Sequence, residues 1–404
     1  MDLKPTIKEL EEYKIKELSR SEINDRALNL LWERYKEKKE KKETVGVEVE
    51  FPSPKTNNQW QIKSKGWVGY IPLTPEFVLY LKPKVKVSNI FRMWEYAYNF
   101  ERFKIFDGQI NCGKIEDYYS QIAKVLAKRI IDRERQGLYR AYVPKTDHLT
   151  FVRGRIDIQN AIQKPWDIKL KCHYDEQTVD IEDNQILAWT LYIIIRSSLW
   201  KQQVPVPRSV REAYHALQGL VTLKEFKPED FIGRNYNYLN QDYQLLHSLC
   251  RFFLEGTGPS HEKGDRTMLP FLIDMAKLYE LFVAEWLKEN LPSHLFLKFQ
   301  EHINISDRIS FKTDIVIYEN TTGKPSYILD TKYKTPSSPA ADDVAQVIAY
   351  AVSKECQDVV LVYPTSLKYP LNEQVGDIRV RSLTFFLNGN LEQAGQAFLK
   401  DLLS

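Results

Sequence analysis

Cysteine is scarce in this chain of 404 residues: there are four, Cys112, Cys172, Cys250 and Cys356, all far apart. No C-x-x-C pair occurs, which excludes the usual zinc spacings and a disulfide framework and fits a reducing cytosol. Long apolar runs are missing as well. The longest, ILAWTLYIII at 186–195, falls short of the about 20 residues that a bilayer requires, so it reads as a buried helix. The first residues, MDLKPTIKELEEYKIKEL, hold no apolar signal core. A cytoplasmic location without a membrane partner is the expectation. Excess charge is also small, a net +3, so a basic surface for a polyanion has to be local. What is present, 43% hydrophobic and 27% charged residues, describes a folded soluble protein. The length is too great for one ordinary core and predicts two or three domains.

The pattern changes along the chain. Residues 20–43 predict a helix starting at Ser21 or Asn24, with a lysine-rich end that is either solvated or bound to phosphate. VGVEVEF at 45–51 alternates strictly, and WQIKSKGWVGYIPL does so loosely, which are strand signals. Residues 1–90 therefore read as a β-rich module. Residues 91–254 read as mainly helical, with YYSQIAKVLAKRIIDRERQGL stopping at Gly137 and a strand-like insert at 149–159. EGTGPSHEKGDR at 255–266 is the clearest linker. Beyond it, residues 267–404 read as helix (270–290), strands (296–303, 311–318, 326–334), helix (341–354), strand (358–363), then a strand and a terminal helix. That order suits a mixed sheet flanked by helices.

Charge interrupts the strands of this last region. In DIVIYENTTGKPSYILDTKYK, Asp330 and Lys332 alternate onto one face with Ile328, while Leu329, Thr331 and Tyr333 take the other. If the run pairs as a hairpin around Gly323 and Pro325, Asp314 approaches Asp330. Two converging carboxylates repel unless a cation lies between them, and a hard divalent ion suits oxygen ligands. A neighbouring lysine can orient or activate a water, which is the logic of phosphodiester hydrolysis with a metal. A D-x-K alone is weak: Asp167-x-Lys169 repeats it with no partner carboxylate. Gln346 and Tyr350 share a face of the next predicted helix, and Glu280 borders an apolar stripe on the preceding one. Each has a plain alternative, a tyrosine packed on the sheet with a wet hydroxyl and a solvated glutamate. Arg153 and Arg155 flank Gly154 and could meet an anion, or pair with Asp157, Asp180 or Asp183. Trp67 and Tyr70 could face a partner or fill a core.

Taken together, Asp314, Asp330-Thr331-Lys332 and Gln346-x3-Tyr350 resemble the PD-(D/E)xK nuclease core in its Q-x-x-x-Y branch. Thr313 stands where that motif's name has proline, a proline often missing in the superfamily. DMAKLYELFVAEWL, DDVAQVIAYAV, VVLVYP, FVRGRIDI and KCHYDEQTVDIEDNQIL are similar to the McrC family, the nuclease subunits of McrBC-type modification-dependent restriction systems. The resemblance spans about residues 66–365. It implies an α+β multidomain protein: a β-rich N-terminal module that binds the partner, a mainly helical middle region, and a C-terminal restriction-endonuclease-like α/β domain with a mixed sheet. It also implies a DNA endonuclease using Mg²⁺, or Mn²⁺ as a substitute, held by Asp314, Asp330 and the backbone carbonyl of Thr331. Lys332 would serve the attacking water, with Gln346, Tyr350 and Glu280 as further site residues. The implied partners are a McrB-like AAA+ GTPase ring, which binds the GTP, and double-stranded DNA carrying modified cytosine. Two rivals are a non-cleaving activator of that GTPase and a stand-alone RecB-like exonuclease.

Overall fold

The computed structural model describes residues 6–18, 29, 32, 47–74, 77–98, 115–197, 206–231, 233–255, 271–306 and 309–404. Its contacts divide the chain into two compact units, Met1–Tyr118 together with Gly256–Ser404, and Tyr119–Glu255. The predicted helix at 20–43 lies outside the described residues apart from Asn29 and Trp32, both helical, and so does nearly all of the linker.

The N-terminal strands are β1 (Thr6–Glu11), β2 (Ile15–Leu18), β3 (Val47–Glu50), β4 (Trp60–Ser64), β5 (Trp67–Thr74) and β6 (Phe77–Lys82), followed by helix α1 (Val87–Ala97). In β4 Trp60, Ile62 and Ser64 are buried while Gln61 and Lys63 are half-buried, the period of two expected of a one-sided sheet. The order β2-β4-β3 makes one small sheet; β1-β6-β5 makes a second, completed by a strand from residue 271 onward. Leu10, Leu18, Val49, Ile62, Leu79 and Leu81 share a core with Trp67. Trp67 and Tyr70 are both buried, so core packing is their role.

The middle unit takes most of α2 (Ile115–Gln136), then β7 (Ala141–Leu149), β8 (Arg155–Ile156), α3 (Ile158–Gln163), β9 (Leu170–Thr178), α4 (Glu182–Arg196), α5 (Arg208–Leu217) and α6 (Tyr243–Glu255). Gly137, with φ 99°, ends α2 as its spacing predicts. The apolar run at 186–195 is a buried helix, α4. Its fully buried Asn184 is satisfied, donating to the Tyr139 and Val179 carbonyls at 2.8 and 2.7 Å and accepting from Tyr243 Oη at 2.6 Å. The strand content exceeds the expected insert: β7 pairs with β9 over nine residues, in the order β7-β9-β8. Pro144 and the polar KTDH that follows hide β7 from a periodicity reading. This excursion keeps Phe151, Ile158, Ile162, Trp166 (78% exposed) and Ile168 (86%) in solvent.

The chain then adds β10 (Phe271–Asp274), α7 (Met275–Asn290), β11 (Leu295–Phe299), β12 (His302–Ser306), β13 (Ile309–Lys312), β14 (Ile315–Glu319), β15 (Pro325–Thr331), α8 (Ala341–Lys354), β16 (Asp358–Tyr363), β17 (Asn372–Val375), β18 (Ile378–Thr384) and α9 (Leu391–Leu402). The segment expected to be helical from 270 begins instead as β10, paired antiparallel with β5. Asp274 caps α7, accepting from the Ala276 and Lys277 N–H groups, and that cap sets the strand-to-helix switch. The mixed sheet is present, in the order β11-β14-β15-β16-β18-β17 with parallel pairs β15/β16 and β16/β18. Val359, Leu361 and Val380 pack with Val347 and Ala351 of α8. Phe385 meets Phe282 and Trp286 of α7 and Phe398 of α9 edge-on or tilted at 5.0–5.3 Å. A Cβ on Gly395 would come within 2.3 Å of the Trp286 ring, so a side chain there must displace the ring.

Candidate functional site at the end of the mixed sheet

β14 and β15 pair antiparallel with Ile315 opposite Leu329 and Val316 opposite Ile328. One step further along the same register sets Asp314 opposite Asp330. The connection is Asn320–Lys324, with Gly323 at φ 66°. Asp314 is fixed by the next strand residue: Thr331 N–H and Thr331 Oγ1 both donate to Asp314 Oδ2, at 2.7 and 2.9 Å. Asp330, 2% exposed, forms an ion pair with Lys332 at 2.6 Å.

Helix α8 closes the same face. Lys332 Nζ donates to Gln346 Oε1 at 3.1 Å, and Gln346 Nε2 donates to Tyr350 Oη at 2.6 Å. Asp343, one turn before Gln346, lies 3.8 Å from Lys332 and pairs with Lys334. From the far side α7 presents Glu280, whose Oε1 accepts from Gln300 Nε2 at 2.9 Å. All six expected site residues thus converge on one end of the sheet. The solvated-glutamate alternative does not hold for Glu280, which is half-buried and hydrogen-bonded.

The electrostatics follow from crowding acids in a dry place. Burial and then the Asp314 charge push Asp330 up to about 7, with Lys332 pulling the other way. Burial, then Asp314 and more weakly Asp330, push Glu280 up to about 7. Asp314 is raised by burial, against the Thr331 hydrogen bonds. Burial lowers Lys332, but Asp330 and Asp343 outweigh it and hold the ammonium above its ordinary range. This is a cluster short of positive charge.

Three members were missed by sequence reasoning. Asp343 sits three residues before Gln346, a spacing visible in DDVAQ. Gln300, in the left-handed region at φ 52°, had no signal. Tyr363 lies alongside Lys332, one step past the Thr331–Val362 pair, with a buried hydroxyl that has no partner among the described residues. Thr331 enters through its own N–H and hydroxyl. The second D-x-K is different: Asp167 and Lys169 form an exposed turn in which Lys169 N–H donates to Asp167 Oδ1. Arg153 pairs with Glu176 at 3.3 Å and stacks on Tyr174, so the ion-pair alternative holds but with a carboxylate other than the three considered. Arg155 is exposed. Gly154, at φ 70°, lies where a Cβ would come within 2.3 Å of the His173 carbonyl, a close approach of backbone to backbone.

An α+β frame with a buried cluster of carboxylates and one lysine at the end of a mixed sheet defines the class. The chain belongs to the family of McrBC 5-methylcytosine restriction system components, which matches residues 62–364. The Type IV methyl-directed restriction enzyme EcoKMcrBC of Escherichia coli strain K12 is 25% identical over 268 residues, 62% of this chain and 74% of that protein. Among solved structures, a chain in the assembly of Thermococcus gammatolerans McrB AAA+ hexamers with bound McrC has the same fold. Its TM-score is 0.50 at 17% identity, covering 98% of this chain and 100% of that one. No helix among the described residues is long and apolar enough to cross a membrane.

Proposed function

We propose that this chain is the DNA-cutting subunit of a modification-dependent restriction complex, with a C-terminal domain of the PD-(D/E)xK type. The observation that carries the reading is Asp314 set opposite Asp330, with Lys332 on Asp330 and Gln346 on Lys332. Its substrate is double-stranded DNA with a modified cytosine of the 5-methylcytosine type. A McrB-like AAA+ GTPase ring is the partner, and this chain stimulates its GTP hydrolysis. The exposed apolar side chains around Trp166 and Ile168 are a surface suited to a partner, because a lone soluble protein rarely leaves such a group in water.

The donor chemistry fits a hard divalent cation: Asp314, Asp330 and Glu280 offer carboxylate oxygen, and their mutual repulsion calls for positive charge. Among the described residues no three His, Cys, Asp or Glu stand as a ready-made metal-holding group. Asp314, Asp330 and the Thr331 carbonyl would hold Mg²⁺, which when bound neutralises charge on the phosphate and lowers the pKa of water. The chain's residues do the rest. Thr331 keeps Asp314 aimed at the site. Lys332, an ammonium at neutral pH, orients the attacking water and the scissile phosphate by charge rather than removing a proton. Glu280, poised near neutrality, is the group suited to accept that proton. Gln346 and Tyr350 keep Lys332 in place.

The test is cutting of methylated plasmid with Mg²⁺ and GTP, with and without the AAA+ partner, wild type beside Asp330→Ala. Cutting that needs the partner and is lost in Asp330→Ala, while both proteins stimulate GTP hydrolysis, supports the reading. Stimulation by both without cutting by either makes the chain a regulator instead.

A further inference from the structure

Lys332 stands one residue past the end of β15. Sheet pairing therefore holds it on one side only, through its N–H donating to the Val362 carbonyl at 2.8 Å. The other support comes from more than 300 residues away. Tyr13 Oη donates to the Tyr333 carbonyl at 2.7 Å, and Tyr333 Oη donates to Glu12 Oε2 at 3.2 Å. The Lys84 N–H donates to the same Glu12 oxygen at 3.0 Å.

Three unfavourable features are gathered there. Glu12 is fully buried, and its Oε1 has no partner among the described residues. Burial raises its carboxyl above the ordinary range, against the two hydrogen bonds. Tyr13 lies in the left-handed region at φ 61°, where an aromatic residue is strained. Gly66 makes room for it: a Cβ there would come within 2.6 Å of the Tyr13 hydroxyl. Tyr13 and Tyr333 also line a cavity of about 230 Å³ with Lys84 and Lys334, so the strand exit is not fully packed on this side and the hydrogen bonds add to the contact of the Tyr333 ring with Tyr279. Strain and buried charge persist where the surrounding fold fixes a position that function uses.

We propose that Glu12 and Tyr13 are positioning residues for Lys332, a two-point clamp on Tyr333 through which the N-terminal strands set the lysine of the cutting site. The clamp rests on the reading of Lys332 as a site residue. Both clamp residues lie before the family match, which starts at residue 62. The clamp removes the freedom of a strand end at the one residue where a small displacement of an ammonium changes the rate.

The complete two-protein complex, cutting methylated plasmid at steady state, tests this. The variants are Tyr333→Phe, Glu12→Ala, Glu12→Gln and the double variant Glu12→Ala/Tyr333→Phe, with Asp330→Ala alongside. Melting temperature and GTP hydrolysis are read on the same samples. Tyr333→Phe and Glu12→Ala are expected to lower kcat about tenfold, with KM for DNA and GTPase stimulation unchanged; Glu12→Ala, which strands two donors, should lower the melting temperature more than Tyr333→Phe without a matching further loss of rate. Glu12→Gln keeps an oxygen for both donors and restores most of the rate. The double variant is no slower than the worse single one, because both remove the same bond. Wild-type kcat in Tyr333→Phe overturns the clamp, and so does a loss that follows the melting temperature. If Glu12→Ala does not fold, Tyr333→Phe decides alone. Failure of the wild type to cut, or cutting that survives Asp330→Ala, overturns the nuclease reading instead.

Discussion

Replacing Glu280 by Gln should stabilise the protein at alkaline pH and do little at acid pH. Glu280 keeps its carboxyl near 7 instead of 4.5, because burial and the Asp314 charge oppose ionisation. At 1.36 kcal/mol per pKa unit that is at most about 3 kcal/mol. Asp314 and Asp330 share the same repulsion, so roughly 1–2 kcal/mol is the expected gain from removing one charge. The sign follows from proton uptake. Between pH 4.5 and 7 the folded protein binds more protons at this site than the unfolded chain, so wild-type stability falls as pH rises through that window. The glutamine variant lacks this loss yet keeps an oxygen for Gln300. Thermal melting at a series of pH values from 5 to 8 reads the difference. A gap that opens towards pH 8, by about 2–6 °C, is expected. Saturating Mg²⁺ should narrow it, because a cation held by Asp314 and Asp330 offsets the repulsion that they exert on the Glu280 charge, which only the wild type carries. A gap that is flat with pH, or a wild type that is the more stable at pH 8, refutes the electrostatic account of this cluster.

Two further outcomes are expected. Gly395→Ala pushes a methyl into the Trp286 ring and should cost about 1–3 kcal/mol, read as a fall in the denaturant midpoint; an unchanged midpoint shows that the contact yields freely. Trp166→Ala with Ile168→Ser should leave the melting temperature within about 1 °C, since such surface changes stay within about 0.5 kcal/mol, yet reduce stimulation of the partner's GTPase several-fold; unchanged stimulation removes this surface as the docking site.

Much of the site was legible because strand alternation is local. Period two alone puts Asp330 and Lys332 on one face, and antiparallel pairing places Asp314 opposite. Helical spacing likewise joins Gln346 to Tyr350. What escaped depends on distant chain. Glu12 and Tyr13 look like any charged strand end, and only the folded chain brings them to Tyr333. FLIDMAKLYE was read as one helix because a short apolar run fits either period; Asp274, as a cap, was the cue. The middle strands escaped because their side chains face water on most sides, which erases the alternation that burial imposes.

β10 completes the N-terminal sheet from beyond the middle unit. That has a consequence for how the chain acquires its structure. During synthesis β5 waits for its edge partner until the whole of Tyr119–Glu255 has emerged. The middle unit is contiguous and can condense first, and the surrounding unit then closes by joining segments far apart along the polymer, a slow kind of contact. A fragment beginning at residue 267 would leave β5 as a bare edge in the remainder, paired with β6 alone, and Tyr333 without Glu12 in itself. Assembly of this protein is therefore a matter of timing as well as stability, with the lysine end of the sheet among the last parts to be secured.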